Sequence, residues 1–160
     1  RMARSVGRET TLARDLRDPE RLESTLALLT ARVAGQLRDE HLVARTVTLK
    51  LRHDDFRTVT RRRTLEIASD LDAELYGAAR DLFRKAFEDV RRRDRGVRLI
   101  GITASGLGPS AEADLFEPPS RERLRHLSAA VDQVRERFGF AAVTPGSVLR
   151  ARRREERPEQ

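Results

Sequence analysis

Arg45-Thr46-Val47-Thr48-Leu49-Lys50-Leu51-Arg52-His53-Asp54-Asp55-Phe56-Arg57-Thr58-Val59-Thr60-Arg61-Arg62-Arg63-Thr64-Leu65 is the stretch whose pattern decides the fold. From Leu42 onward the apolar residues follow a period of two. Val43, Val47, Leu49 and Leu51 fall on one face, with Thr46, Thr48, Lys50 and Arg52 on the other, which is a half-buried strand. His53-Asp54-Asp55 reads as a turn, with Phe56 just past it. Arg57–Leu65 is then the returning strand, and two strands this close in sequence form an antiparallel hairpin.

The elements on either side complete a pattern. Upstream, Ser5–Leu12 is short and rich in β-branched residues, a strand. Asp18-Pro19-Glu20 supplies a cap, a first-turn proline and an acid that complements the helix dipole. Leu22, Leu26, Leu29, Val33 and Leu37 follow as the apolar stripe of a helix of about five turns. Downstream, Ser69-Asp70-Leu71-Asp72 opens a second helix with the stripe Leu71, Leu75, Ala79, Leu82, Phe83, Ala86, Phe87 and Val90. Arg91-Arg92-Arg93 suits its C-terminus, and Gly96 can end it. Val97–Ala104 is apolar on both faces, a strand for the sheet interior. The order is βαββαβ: an α+β, split βαβ (ferredoxin-like) domain whose antiparallel four-stranded sheet carries two helices on one face.

From Ser105-Gly106-Leu107-Gly108-Pro109-Ser110 the composition shifts. Residues 1–107 are expected to form the domain, 108–119 a Pro-bearing linker, 120–149 a helical C-terminal extension and 150–160 a charged, disordered tail. In the extension Leu124, Leu127, Val131, Val134 and Phe138 form a third apolar stripe, expected to bury against the domain. The opening Arg1-Met2-Ala3 leads us to expect a piece of a longer protein.

The 160 residues hold 33 Lys plus Arg against 26 Asp plus Glu, a net charge of +7. Only Lys50 and Lys85 are lysines, which leaves 31 arginines. Compositional bias toward arginine accounts for part of that number, but not for the excess or its clustering. A pI near 11.1 favours a polyanionic partner, nucleic acid above all. With no cysteine there is no disulfide framework, cysteine-ligated zinc, iron–sulfur cluster or thiol nucleophile. No apolar run approaches the roughly 20 residues of a membrane span, so no membrane partner is expected and the compartment is read as cytoplasmic.

Helices on one face of an antiparallel sheet leave the other face open. The hairpin brings Arg45, Lys50, Arg52, Arg57, Arg61, Arg62 and Arg63 there against only Asp54 and Asp55, interleaved with threonine hydroxyls that can donate to phosphate. Readers of single-stranded RNA on such a sheet display aromatic rings for base stacking. This chain has six Phe, one Tyr and no Trp, and the hairpin offers only Phe56. Such a face is suited to a duplex backbone, with little sequence information read. Catalysis has no evident foothold. His41, His53 and His126 are scattered, Ser105-Gly106-Leu107-Gly108 lacks a phosphate-loop lysine, and Asp70 and Asp72 are explained by a helix N-terminus.

Ser5–Leu12, the hairpin Arg45–Leu65 and Val97–Ile102 together resemble the little finger of the Y-family DNA polymerases, in particular the bacterial DinB type. The resemblance runs in order from about Ser5 to Leu107. It implies a βαββαβ domain that lies in the major groove of a double-stranded primer–template and grips its backbones. The implied contacts are Ser5, Gly7 and Arg8 on the first strand, Thr58, Thr60, Arg61, Arg62, Arg63 and Thr64 on the third, and Arg98 on the fourth. Family members often have a small residue where Arg62 stands. The family's catalytic carboxylates belong to a palm domain that nothing here resembles. The resemblance therefore implies no catalytic residue, metal or cofactor in this segment, and magnesium-dependent nucleotidyl transfer in the parent protein. Glu112-Ala113-Asp114-Leu115-Phe116 is similar to the peptide with which bacterial polymerases dock on the sliding clamp, with Glu112 and Ala113 in place of the usual Gln and Leu. A monomer is expected. The alternatives are a free-standing ferredoxin-like RNA-binding module and a protein-interaction domain.

Overall fold

The structure, a computed structural model, describes residues 5–111 and 121–144. Strand β1 (Ser5–Leu16) leads to helix α1 (Pro19–Asp39), the hairpin β2 (Leu42–His53) and β3 (Thr58–Ser69), helix α2 (Asp72–Arg92) and strand β4 (Val97–Pro109). A third helix, α3 (Glu122–Phe138), ends in a 3-10 turn at Phe140–Ala142. The expected βαββαβ order is present, and all four strands form one antiparallel sheet in the order β1-β4-β2-β3. Each βαβ unit is split: β4 lies between β1 and β2, and β2 lies between β3 and β4.

Local chemistry sets the helix boundaries. The Asp18 carboxylate accepts from the Glu20 backbone N–H at 3.0 Å, with Pro19 at the first helical position. At the start of α2 the Ser69 hydroxyl accepts from the Leu71 N–H at 3.1 Å and donates to Glu74 at 2.6 Å. Every residue of the α1 stripe is buried, and Leu75, Ala79, Phe83, Ala86 and Val90 of α2 meet it over Val6, Val47, Leu49, Leu51, Ile100, Ile102 and Ala104 of the sheet. Phe83 is fully buried and stacks on Phe87 with ring centroids 5.3 Å apart. Burying each such side chain contributes about 1.5–3 kcal/mol. Thr30, also buried, returns its hydroxyl to the Leu26 carbonyl at 2.7 Å.

Four boundaries differ from the sequence reading, the first being that of β3, which runs on past Leu65 to Ser69. β1 runs on to Leu16, beyond an irregularity after Thr11. β4 continues through the glycines to Pro109, because Ala44, Val43 and Leu42 of β2 pair with Leu107, Gly108 and Pro109. Gly106, at φ 63°, accommodates this stretch where it packs on Arg45. His53, expected in the turn, is the last residue of β2 and only 1% exposed. A register irregularity at Arg45 also shifts the alternation, so that Leu42 and Ala44 rather than Val43 join the core cluster.

The third helix docks against expectation. Most of its stripe is not the contact: Leu127, Val134 and Phe138 are 60%, 38% and 68% exposed, while Leu124 and Val131 are half-buried and Val131 borders an apolar pocket with Ala27, Ala31 and Tyr76. Instead its arginines and Asp132 face the domain. Arg38 of α1 grips both oxygens of Asp132 at 2.6 and 2.8 Å and also bonds the Asp72 carboxylate at 2.8 Å. Arg125 reaches Asp70 at 3.1 Å, Arg121 bonds Glu74, and Arg135 donates to the Val143 carbonyl at 2.9 Å. Arg32 and Arg135 each lie 4.2 Å from the Phe140 ring centroid. Burial alone would lower the Arg38 pKa, but the hydrogen bonds and charges of Asp132 and Asp72 outweigh it and hold it raised. Asp70 and Asp72 thus serve as docking partners for arginines, beyond starting α2.

Asp132→Ala should release α3 without unfolding the sheet, since it removes the carboxylate that Arg38 grips twice. The expected cost is about 1–3 kcal/mol of local stability, read as faster amide exchange confined to residues 121–144. Unchanged protection there would refute this account of the docking.

Candidate nucleic-acid interface

Residues paired across a sheet project on the same side, so the registers arrange the open face as a grid. Ser5, Ser105, Thr46 and Thr64 make the first row; Gly7, Thr103, Thr48 and Arg62 the second. Glu9, Gly101, Lys50 and Thr60 make the third, and Thr11, Leu99, Arg52 and Thr58 the fourth. Nine of the sixteen carry a hydroxyl and none is aromatic. Rows lie about 6.8 Å apart along the strands, and four strands span about 14 Å.

Short side chains keep the middle of the grid low. A Cβ at Gly7 would meet Thr103 Oγ1 at 2.9 Å and the Ile102 carbonyl at 3.3 Å, so a larger residue there would have to push Thr103 and the neighbouring strand aside. At Gly101 a Cβ would meet Glu9 Cβ at 2.9 Å, and across this bare position Lys50 pairs with Glu9 at 3.2 Å. Arg52 donates from Nε to Thr58 Oγ1 at 3.2 Å. The Arg62 side chain is exposed and makes no hydrogen bond or ion pair with the described residues. It is the unspent positive charge at the grid's outer edge.

The structure divides the residues singled out from sequence. Ser5, Gly7, Thr58, Thr60, Arg62 and Thr64 share the open face. Consecutive arginines on a strand cannot: Arg61 and Arg63 pair with Leu49 and Val47 and project to the helical side. There Arg63 binds Asp81 of α2 at 3.2 Å, while exposed Arg61 returns to the Thr60 carbonyl at 3.0 Å. Arg8 is likewise on the helical side, bonded to Gln36 of α1 at 2.7 Å. Arg98 is left unpaired between Leu99 and Val97, where β4 shifts register against β2. Thr103 and Ser105 were missed, although Gly101, Thr103 and Ser105 alternate with Ile100, Ile102 and Ala104 in the sequence. Glu112, Ala113, Asp114, Leu115 and Phe116 lie outside the described residues. Among the described residues no group of three or more His, Asp or Glu side chains is placed to hold a metal ion.

The hairpin turn lies beyond the fourth row and is tied down from below. Asp54 donates its backbone N–H to the Gly96 carbonyl at 3.0 Å and accepts the Gly96 N–H on its carboxylate at 3.0 Å. Asp55 accepts from the Arg57 N–H at 3.1 Å. Phe56, at φ 67°, closes the turn by donating to the His53 carbonyl at 3.0 Å. Above it Arg98 lies 4.5 Å from the ring centroid and 3.4 Å from Asp15.

With this geometry, residues 3–115 match the impB/mucB/samB family C-terminal domain. The chain belongs to that family. Similar curated proteins are DNA polymerase IV of Caulobacter vibrioides, 39% identical over 153 residues, and DNA polymerase IV of Desulfatibacillum aliphaticivorans, 36% identical over 151. These alignments cover 93% and 92% of this chain but 36% and 37% of the relatives, so the chain spans little more than a third of their length. Among solved structures, the complex of a β-clamp processivity factor with the little finger domain of PolIV matches at TM-score 0.50 and 30% identity, covering 66% of this chain and 90% of that one. DinB from Sulfolobus solfataricus matches at TM-score 0.54 and 22% identity over 63% of this chain and 28% of that one, a likeness of fold alone. The impB/mucB/samB domain described here thus has the fold of a Y-family little finger, as its hairpin led us to expect.

In this domain the Gly96 N–H, ahead of the Arg95 and Arg17 charges, holds the Asp54 carboxyl below the ordinary carboxylate range. The stabilisation is present above the unfolded-state value near 3.9 and is lost as pH falls through the lower folded value. Denaturant midpoints measured between pH 7 and pH 2 should fall less for Asp54→Asn than for the parent chain. Parallel curves would show that the turn does not couple to this proton.

Proposed function

We propose that the impB/mucB/samB domain grips a primer–template duplex through the open sheet face, as the accessory DNA-binding part of a longer bacterial translesion polymerase. The observation that carries this reading is the grid itself: hydroxyls and glycines without an aromatic ring, edged by the unpartnered Arg62. A sheet about 14 Å across compares with a major groove about 12 Å wide. Hydroxyls and low glycine positions suit sugar–phosphate contacts, which position a duplex without reading its sequence. Ser5, Thr58, Thr60, Arg62 and Thr64 contact the backbone from the face, with the amide at Gly7 open to a phosphate. Arg61 reaches it from the edge of β3, while Arg8, Arg63 and Arg98 contribute only by leaving their partners within the domain. Magnesium-dependent phosphoryl transfer belongs to parts of the longer protein outside this chain, which acts in the cytoplasm. No described helix is long and apolar enough to cross a membrane.

The domain body runs to the end of β4, and the peptide Glu112–Phe116 that follows is the tether to the sliding clamp, with the third helix and the tail beyond it. The motif Asp114-Leu115-Phe116 supports this, as does the little finger of PolIV that was solved in complex with a β-clamp. The chain acts as a monomer, one domain per duplex. The absence of rings on the grid disfavours the RNA-binding alternative.

Duplex affinity should fall with salt, with a slope in log–log form of about −0.9 per phosphate contact. Arg62→Ala should flatten that slope by about 0.9 and weaken binding equally across sequences, whereas Arg63→Ala, whose guanidinium is spent on Asp81, should change it less. A salt-independent affinity would refute duplex gripping.

Separately, the double variant Leu115→Ala/Phe116→Ala should weaken binding to a sliding clamp tenfold or more while leaving duplex affinity unchanged. Burial of two such side chains contributes roughly 3–6 kcal/mol. Undiminished clamp binding in a pull-down would refute the tether.

A further inference from the structure

The turn beyond the fourth row carries a side chain that duplex gripping leaves unused. Phe56 is 65% exposed, on a backbone at φ 67° that bulky side chains adopt only at a cost. Gly or Asn would make this turn more cheaply. The chain therefore holds an apolar ring in solvent, on strained backbone, at the rim of a face that otherwise has no aromatic residue. The ring is also pre-positioned, because the Arg98 guanidinium stacks 4.5 Å from its centroid. Apart from Arg57, the charges around it are already paired within the domain. Arg98 is within 3.4 Å of Asp15, Arg95 within 3.6 Å of Asp54 and 3.8 Å of Asp55, and Arg17 is paired with Asp94. What this end of the sheet offers is a π surface backed by a cation, next to Arg52 and Thr58 of the last row.

We propose that Phe56, backed by Arg98, is a stacking platform for one unpaired base where a duplex on the open face gives way to single strand. The proposal rests on the duplex-gripping reading and adds a second substrate element to it. Every base has a π face, so the platform selects single strand over duplex and not one base over another.

The test is fluorescence anisotropy of the 160-residue chain at one salt concentration. It uses a blunt duplex, the same duplex with a single-stranded overhang, and that duplex with an abasic overhang of equal length. The parent chain should prefer the base-bearing overhang by about fivefold or more, the size of a single stacking contact, and should show no preference for the abasic one. Phe56→Ala and Phe56→Gly should abolish the preference with blunt-duplex affinity unchanged, and Phe56→Trp should keep it. Because Gly relieves the positive φ, lost preference in Phe56→Gly cannot be assigned to unfolding. An overhang preference that survives in Phe56→Gly, that is equal for the abasic strand, or that is missing in the parent chain while blunt duplex still binds, overturns the platform and leaves duplex gripping standing. Failure of the parent chain to bind blunt duplex overturns both.

Discussion

Successive side chains on a strand point to opposite faces, and two buried central strands make that rule binding on the whole molecule. β2 and β4 lie inside the sheet, with Val47, Leu49, Leu51, Ile100, Ile102 and Ala104 committed to the space beneath α1 and α2. Thr46, Thr48, Lys50, Arg52, Gly101, Thr103 and Ser105 then have nowhere to go but the other side. A slip of one residue in β2 would bury Lys50 and Arg52 and expose Val47, Leu49 and Leu51, and the same slip in β4 would expose Ile100, Ile102 and Ala104. The composition of the open face therefore follows from the register, and the register follows from the core. Whatever the face binds, it is positioned to the precision with which Ile102 and Leu49 pack.

This explains which parts were legible beforehand. The hairpin, both helical stripes and the interior character of Val97–Ala104 each arise from a short-range period, and a period can be read from a single chain. Position along the sequence cannot say which face a residue takes when charges are contiguous. Arg61, Arg62 and Arg63 look like one patch in sequence, and the pleat separates them into Arg63 on Asp81, Arg61 at the edge and Arg62 facing out. Arg8 and Arg98 were similarly drawn into contacts with Gln36 and with Phe56 and Asp15. These partners lie from 28 to 83 residues away in the chain, apart from Asp81 at 18, and no local pattern announces them. Glycine-rich Ser105–Pro109 shows no strand period in the sequence for a comparable reason: its strand conformation is imposed by pairing with Leu42–Thr46.

The same distinction applies to α3. Its apolar spacing argued for burial through Leu127, Val134 and Phe138, yet carboxylates at the start of α2 and Arg38 near the end of α1 capture its other side. Desolvating a carboxylate such as Asp70, only 2% exposed, is costly without a partner, and Arg125 supplies one. Once Arg38, Asp72 and Asp132 are joined in one network, the helix orientation is fixed by where the guanidinium groups can reach.

A helix held by guanidinium–carboxylate pairs, with most of its apolar stripe already in water, differs thermodynamically from the two helices beneath it. Its release uncovers little new apolar surface, so it carries little of the heat-capacity change that marks melting of the core. Ionic strength, by contrast, reaches its pairs through the partly exposed carboxylates of Asp72, Asp132 and Glu74, and acts least on the pair of Arg125 with buried Asp70. The extension and the body of this domain are thus governed by different solvent variables, one by electrolyte and the other by temperature and denaturant.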